Sequence, residues 1–353
     1  MDELTLNTIK VILPTTIAFF AGMALTPLLT HYLYKYKMWK KKSVTKATDG
    51  RDAPITAKLH GDEERKTPRM GGVLVWSVTF LTIIFFSLYA MIDGEIASKL
   101  SFLSRNQTWL PLFTLIVGGL IGLVDDWFVV SDRIDYFAGG MSLFKRLTIV
   151  FLVSIIGAWW FYVKLDTANI VIPFVGEWNM GFYFIPFFML VMISTYSGGV
   201  IDGIDGLSGG IFSIIFSAYG IIALSQNQID LSTFCFKIVG SILAFLWFNI
   251  PPARFFLSDT GTMSLTLTLT VVAFLTEQVV VLPIIALPLV LASGSSSLQL
   301  LSKKFRHGKK IFLVAPIHHH FQAVGWPAYK VTMRFWVIGI VFALLGVVIA
   351  LIG

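Results

Sequence analysis

Four short polar clusters interrupt an otherwise apolar chain. Asp125-Asp126 follows Gly122-Leu123-Val124; Asp202 and Asp205 lie in the glycine-rich stretch from Ser197 to Leu207; Asp259 sits in Leu257-Ser258-Asp259-Thr260-Gly261; and His318-His319-His320 form one tract. Gathered on one side of a membrane, carboxylates supply hard oxygen ligands suited to Mg²⁺, which keeps waters and phosphate oxygens in its shell. Glycine-rich backbone and helix N-termini receive phosphate oxygens, and Lys, Arg and His neutralise the charge that spreads in phosphoryl transfer. Each cluster also has an ordinary reading. Paired aspartates can end a helix in solvent, Asp-Gly pairs are turn chemistry, Asp259 can cap a helix, and a histidine tract can bind metal at a surface or respond to pH. The histidines are adjacent, not at the i, i+4 spacing of a zinc hydrolase, and no GxxxxGK[ST] loop is present, which disfavours an ATP-driven machine.

The elements that must position these residues are membrane helices. Of 353 residues 56% are hydrophobic and 13% charged, against about 25% charged in soluble domains. The mean hydropathy is +0.79. Apolar runs near 9–34, 71–91, 110–123, 147–163, 182–195, 210–224, 234–250, 263–275, 279–300 and 331–352 predict an all-α integral membrane protein of about ten transmembrane helices, in a single polytopic domain over 1–353. The first run follows Asp2 and Glu3 and not a basic segment, and is expected to be a retained helix. Pro283, Pro288 and the Ser293–Ser297 stretch predict a broken or kinked ninth helix. The lone Cys235 excludes an intramolecular disulfide or a CxxC metal site.

Charge assigns the faces. Twenty-two of the 27 Lys and Arg fall on the side of the loops at about 35–70, 125–147, 197–209, 251–262 and 302–330, and five on the other. The positive-inside rule makes the richer face cytoplasmic, leaving both termini outside and all four polar clusters facing the cytoplasm. The net charge of +7 is then topology and attraction to anionic lipid or substrate, with no nucleic-acid footprint.

The run Ala315-Pro316-Ile317-His318-His319-His320-Phe321, followed by Gly325-Trp326-Pro327 and Arg334-Phe335-Trp336, resembles the histidine motif of the phospho-N-acetylmuramoyl-pentapeptide transferases (translocase I). The likeness extends to Thr67-Pro68-Arg69-Met70-Gly71-Gly72, Asp125-Asp126, Asp202-Gly203-Ile204-Asp205-Gly206-Leu207, Leu246-Trp247-Phe248-Asn249, and Phe256 with Asp259. The aspartate clusters are shared with the wider polyprenyl-phosphate N-acetylhexosamine-1-phosphate transferases; the histidine motif is the specific part.

The resemblance implies a bacterial inner-membrane enzyme that uses Mg²⁺ to move phospho-MurNAc-pentapeptide from UDP-MurNAc-pentapeptide to undecaprenyl phosphate, giving lipid I and UMP, and working as a homodimer in the lipid bilayer. Carried over by residue, Asp259 is the principal metal ligand with Asp202 beside it, and Asp125 and Asp126 bind or deprotonate the lipid phosphate. Phe256 stacks on uracil near Asn249 and Asp205, while Asp202, His318 and His319 line the nucleotide and phosphate pocket. Thr67, Arg69, Gln299 and His320 complete the substrate-binding set. Four positions depart from the family pattern: Gly199 stands for Asn, Val129 for the lysine after the aspartate pair, Arg69 for Thr and Ser258 for Gly. Lys145 or Arg133 is expected to replace the missing lysine, and Arg69 is either a compensating phosphate-facing cation or an interfacial anchor. The competing readings are a sibling GlcNAc-1-phosphate transferase and, from another class, a transporter, which would place its ionisable residues near the bilayer midplane.

Overall fold

A computed structural model describes residues 3–41, 66–92, 108–131 and 140–353. Most of the basic 35–70 loop, together with Lys99, Arg105 and Arg133, lies outside the described residues. The chain runs α1 (Glu3–Lys35), α2 (Gly72–Ile92), α3 (Trp109–Ser131), α4 (Leu143–Trp159, continued by a π turn to Lys164), α5 (Phe184–Ser197), α6 (Leu207–Ser225), α7 (Ile229–Asn249), α8 (Ser258–Leu275), α9 (Leu282–Ile285), α10 (Leu287–Phe305), α11 (Ile317–Ala323) and α12 (Ala328–Ile352). Eight helices among the described residues are long and apolar enough to cross a membrane, as expected where lipid offers the backbone no hydrogen-bond partner.

Hydroxyl residues survive in this apolar setting because they bond their own helix. Thr26, Thr79 and Thr82 each donate to the carbonyl four residues back, at 2.7, 2.8 and 2.7 Å. Helix α8 takes this furthest. Thr266 and Thr268 donate to Thr262 and Ser264, and the Ser264 hydroxyl crosses to the Leu115 carbonyl of α3 at 2.7 Å. It is not among the eight long apolar helices, because it faces protein almost all round and can carry polar side chains. It packs most extensively on α3.

Over 279–300 two helices, α9 and α10, meet at Ala286, and each carries a proline in its first turn. Proline lacks an N–H and suits a helix start. The Ser293–Ser297 stretch, from which a kink was expected, lies within continuous α10; Ser293 and Ser296 bond carbonyls of the preceding turn.

The sequence reading contained no strand, yet a short antiparallel hairpin, β1 (Asn169–Ile172) and β2 (Gly176–Asn179), follows α4. Asn169 is paired with Asn179 and Ile172 with Gly176, and the hairpin tip is tied to the chain end by the Phe174 N–H donating to the Gly353 carbonyl. Phe174, Trp178, Phe182 and Tyr183 are exposed there, as suits aromatic residues at a membrane–water boundary.

Candidate active site

The acidic centre begins on α3, where Asp125 and Asp126 are both fully buried. Neighbouring helical residues point about 100° apart, so the pair splits between two partners. Asp125 accepts the Met141 N–H and pairs with Arg146 Nη2 at 2.6 Å. Asp126 accepts both the N–H and the hydroxyl of Thr260, at 2.9 and 2.6 Å, and pairs with Arg69 Nε at 3.0 Å. Between the two guanidiniums lies Asp259, 3.5 Å from Arg69 Nη2 and 3.3 Å from Arg146 Nη1. The result is an alternating row, Asp126, Arg69, Asp259, Arg146, Asp125, in which buried charge is compensated by opposite charge. Of the three carboxylates Asp259 is the open one, with its side chain 21% exposed where the other two are fully buried.

Asp259 stands in the first turn of α8 without capping it. Two aspartates from elsewhere bind that turn: Asp202 accepts the Ser258 N–H at 2.7 Å and Asp126 the Thr260 N–H. Both satisfy orphan donors at the positive end of the helix dipole, and the carboxylate of Asp259 is left to face outward. The second oxygen of Asp202 accepts the Ser208 hydroxyl at 2.6 Å. Burial pushes the Asp202 carboxyl above the ordinary range, opposed by the bonds from Ser208 and Ser258 and by the nearby charge of Arg69.

A second set of contacts joins the glycine-rich loop to the segment after α7. Asp205 accepts the Ala253 N–H at 2.9 Å. Buried Asn249 accepts the Gly206 N–H at 2.9 Å and donates to the Phe255 carbonyl at 2.8 Å. Phe256, half-buried, is held by its backbone: its N–H donates to the Pro68 carbonyl and its carbonyl accepts the Gly71 N–H, both at 2.8 Å. That pairing carries Arg69 to the centre, with half-buried Thr67 two residues before it. Asn249→Ala should strand a buried donor and a buried acceptor at about 1–3 kcal/mol each. Thermal unfolding in detergent should show a clearly lowered midpoint; an unchanged midpoint would remove the amide from this role.

The histidines reach the loop from α11. His318 is fully buried, and its ring centroid is 4.3 Å from that of His319. Both rings abut Gly203: a side chain there would meet His319, and would lie 3.0 Å from His318 Nε2. His319 Nδ1 shares a hydrogen bond with Gln322 Oε1 at 2.8 Å. His320 turns away, accepting the Leu313 N–H and lying edge-on to Phe312. Gln299 is also spoken for: its Oε1 accepts the Ile311 and Phe312 N–H groups and its Nε2 donates to the Phe312 carbonyl. These two residues shape the segment before the histidines.

The structure therefore brings together Asp125, Asp126, Asp259 and Arg69, sets Asp202 beside them and His318 and His319 behind Gly203, and gives Asp205 and Asn249 to the joint that carries Phe256. Sequence reading missed Arg146. It looked to Lys145, which is exposed, or to Arg133. It also missed Ser208, whose hydroxyl donates to Asp202. Among the described residues no three His, Cys, Asp or Glu form a ready-made metal cage. A single open carboxylate nevertheless fits Mg²⁺, which binds through one or two carboxylates and completes its shell with water and substrate phosphate.

Residues 108–277 match glycosyl transferase family 4. A phospho-N-acetylmuramoyl-pentapeptide-transferase of Listeria innocua is 34% identical over 299 residues, 83% of this chain and 87% of that protein. One from Chloroflexus aurantiacus is 33% identical over 299 residues, covering 81% and 77%, and one from Listeria monocytogenes 33% over 299 residues, covering 83% and 87%. The chain belongs to the phospho-N-acetylmuramoyl-pentapeptide-transferase family. It is a multi-pass membrane transferase. Every residue of the aspartate row lies within, or is bonded to, the clusters singled out in the sequence, which makes the row the candidate catalytic centre.

Proposed function

We propose that the protein catalyses Mg²⁺-dependent transfer of phospho-MurNAc-pentapeptide from UDP-MurNAc-pentapeptide to undecaprenyl phosphate in peptidoglycan synthesis at the bacterial inner membrane. The observation that carries the reading is the open Asp259 between two arginines, next to a glycine loop backed by histidines. An oxygen of the lipid phosphate bonds to the sugar-linked phosphorus, and the bond from that phosphorus to the bridging oxygen breaks, leaving UMP and lipid I. One phosphoanhydride replaces another, so no ATP is consumed. A phosphate monoester near its second ionisation needs little activation, and Asp125 and Asp126 already hold guanidiniums. Direct attack is accordingly preferred to an aspartyl intermediate, and the pair's work is to hold Arg146 and Arg69 beside the entering phosphate.

Asp259 would hold the Mg²⁺, which when bound neutralises phosphate charge as a Lewis acid. Arg69 and Arg146 would meet the remaining phosphate oxygens in the bidentate manner open to guanidinium. Phe256 offers an aromatic face to uracil, with Asp205 and Asn249 fixing its loop. Asp202 fixes the first turn of α8, and His318 and His319 complete the phosphate side. Topologically, the eight long apolar helices together with α8 and the α9–α10 pair make ten spans, broken in the ninth. The charge asymmetry supports termini outside and the centre facing the cytoplasm. The expected homodimer rests on the family likeness alone.

The test is UMP release by purified protein with undecaprenyl phosphate and Mg²⁺. Release with UDP-MurNAc-pentapeptide and not with UDP-GlcNAc is expected. Release with UDP-GlcNAc alone would assign the sibling reaction, and none with either would sink the reading.

A further inference from the structure

Arg69 is held by a backbone that leaves it little choice of position. Its own N–H donates to the Met38 carbonyl at 2.7 Å, Pro68 before it accepts the Phe256 N–H, and Gly71 after it donates to the Phe256 carbonyl. Two of its side-chain contacts are unlike each other. Nε lies 3.0 Å from Asp126, a fully buried carboxylate held further by Thr260. Nη2 lies 3.5 Å from Asp259, which is partly open to solvent. One grip is short and enclosed; the other is long and releasable.

We propose that Arg69 is a built-in competitor of the divalent metal. Its guanidinium bridges Asp126 and Asp259, which repel one another, and holds Asp259 in place before a metal arrives. When the cation takes Asp259, the like charge of Nη2 is driven from that oxygen while Nε keeps Asp126. Besides meeting phosphate, Arg69 thus acts through Asp259 to set metal affinity. The inference rests on the proposed metal-dependent reading of Asp259. With all five groups ionised the row carries three negative and two positive charges; without Arg69 it carries one positive charge fewer and should draw a cation more strongly.

The probe is Mn²⁺ alone, titrated into full-length protein in detergent without substrate and followed by the electron paramagnetic resonance of the free ion. Arg69→Gln should bind Mn²⁺ about tenfold tighter than the wild type, roughly 1.4 kcal/mol. It should also melt lower in EDTA and regain more on adding the metal. Arg69→Lys keeps a charge without the fork and should fall between the two; should Arg69→Gln not fold, tighter binding by Arg69→Lys carries the inference in its place. Equal or weaker binding in the folded variant, no binding in any form, or binding that survives Asp259→Ala overturns it. UMP release by the wild type is scored in parallel. Release with an unshifted Mn²⁺ affinity overturns the competitor role alone, whereas a shifted affinity without release overturns the substrate reading and leaves the competitor role standing.

Discussion

Asp259→Ala should abolish UMP release and leave the protein folded. The loss follows from the position of the residue: it is the open carboxylate of the row, held by ion pairs of 3.5 and 3.3 Å, and the other two are enclosed and more closely held. Removing the ligand of a Lewis-acid metal forfeits several kcal/mol of transition-state charge stabilisation, at least about a thousandfold in rate. Folding should survive because Arg69 keeps Asp126 and Arg146 keeps Asp125, so no buried charge is stranded. Turnover within tenfold of the wild type would remove Asp259 from the metal role. Lost turnover with a collapsed thermal midpoint would show that the carboxylate is a structural counter-ion first.

What the sequence made legible, and what it hid, follows from helical periodicity. On α3 the buried positions include Gly118, Gly122, Asp125, Asp126 and Val129, the i, i+3, i+4, i+7 stripe of one face. A carboxylate pair in phase with glycines reads as facing protein and not lipid. Arg146 could have been found in the same way. It is in phase with Val150, Val153, Ser154 and Gly157, the buried stripe of α4, whereas Lys145 falls one residue off and is exposed. The two foreign caps on α8, Asp126 and Asp202, had no such signature, because the N–H groups they accept belong to a helix more than fifty residues further along the chain. Nor was the hairpin visible: Asn169–Ile172 and Gly176–Asn179 are only four residues each, too short for alternation to stand out beside long apolar runs. The proline-set break at Ala286 was signalled by Pro283 and Pro288, but the serine-rich stretch beside them competed for the same interpretation, and serine can instead bond its own helix.

The same α3 stripe yields the second large effect, which is steric and involves no reacting group. Gly122→Ala should cripple turnover by moving the centre. A methyl group at this position lands on the carbonyl of Asp259 and the Cα of Thr260 in the first turn of α8. These are backbone atoms, so no side chain can swing aside and the two helices must part. Overpacking of this kind costs about 1–3 kcal/mol, occasionally more. Parting the helices also stretches the bonds from Thr260 to Asp126 and from Ser264 to Leu115. Asp125 and Asp126 follow Gly122 by three and four residues, one helical turn, so the displacement is passed directly to the carboxylates. A misplacement of about 1 Å is worth about 10²-fold in rate. Gly122→Ala is therefore expected to lose both thermal stability and about two orders of magnitude of UMP release, in contrast to Asp259→Ala, which loses activity alone. Gly294→Ala is the matched control, because a Cβ there has nothing within 4 Å and alanine favours the helix by about 1 kcal/mol. Gly122→Ala with a wild-type midpoint and wild-type turnover would mean that α3 and α8 can separate without disturbing the row of charges, and that close backbone packing is not what aligns Asp259 with the aspartate pair.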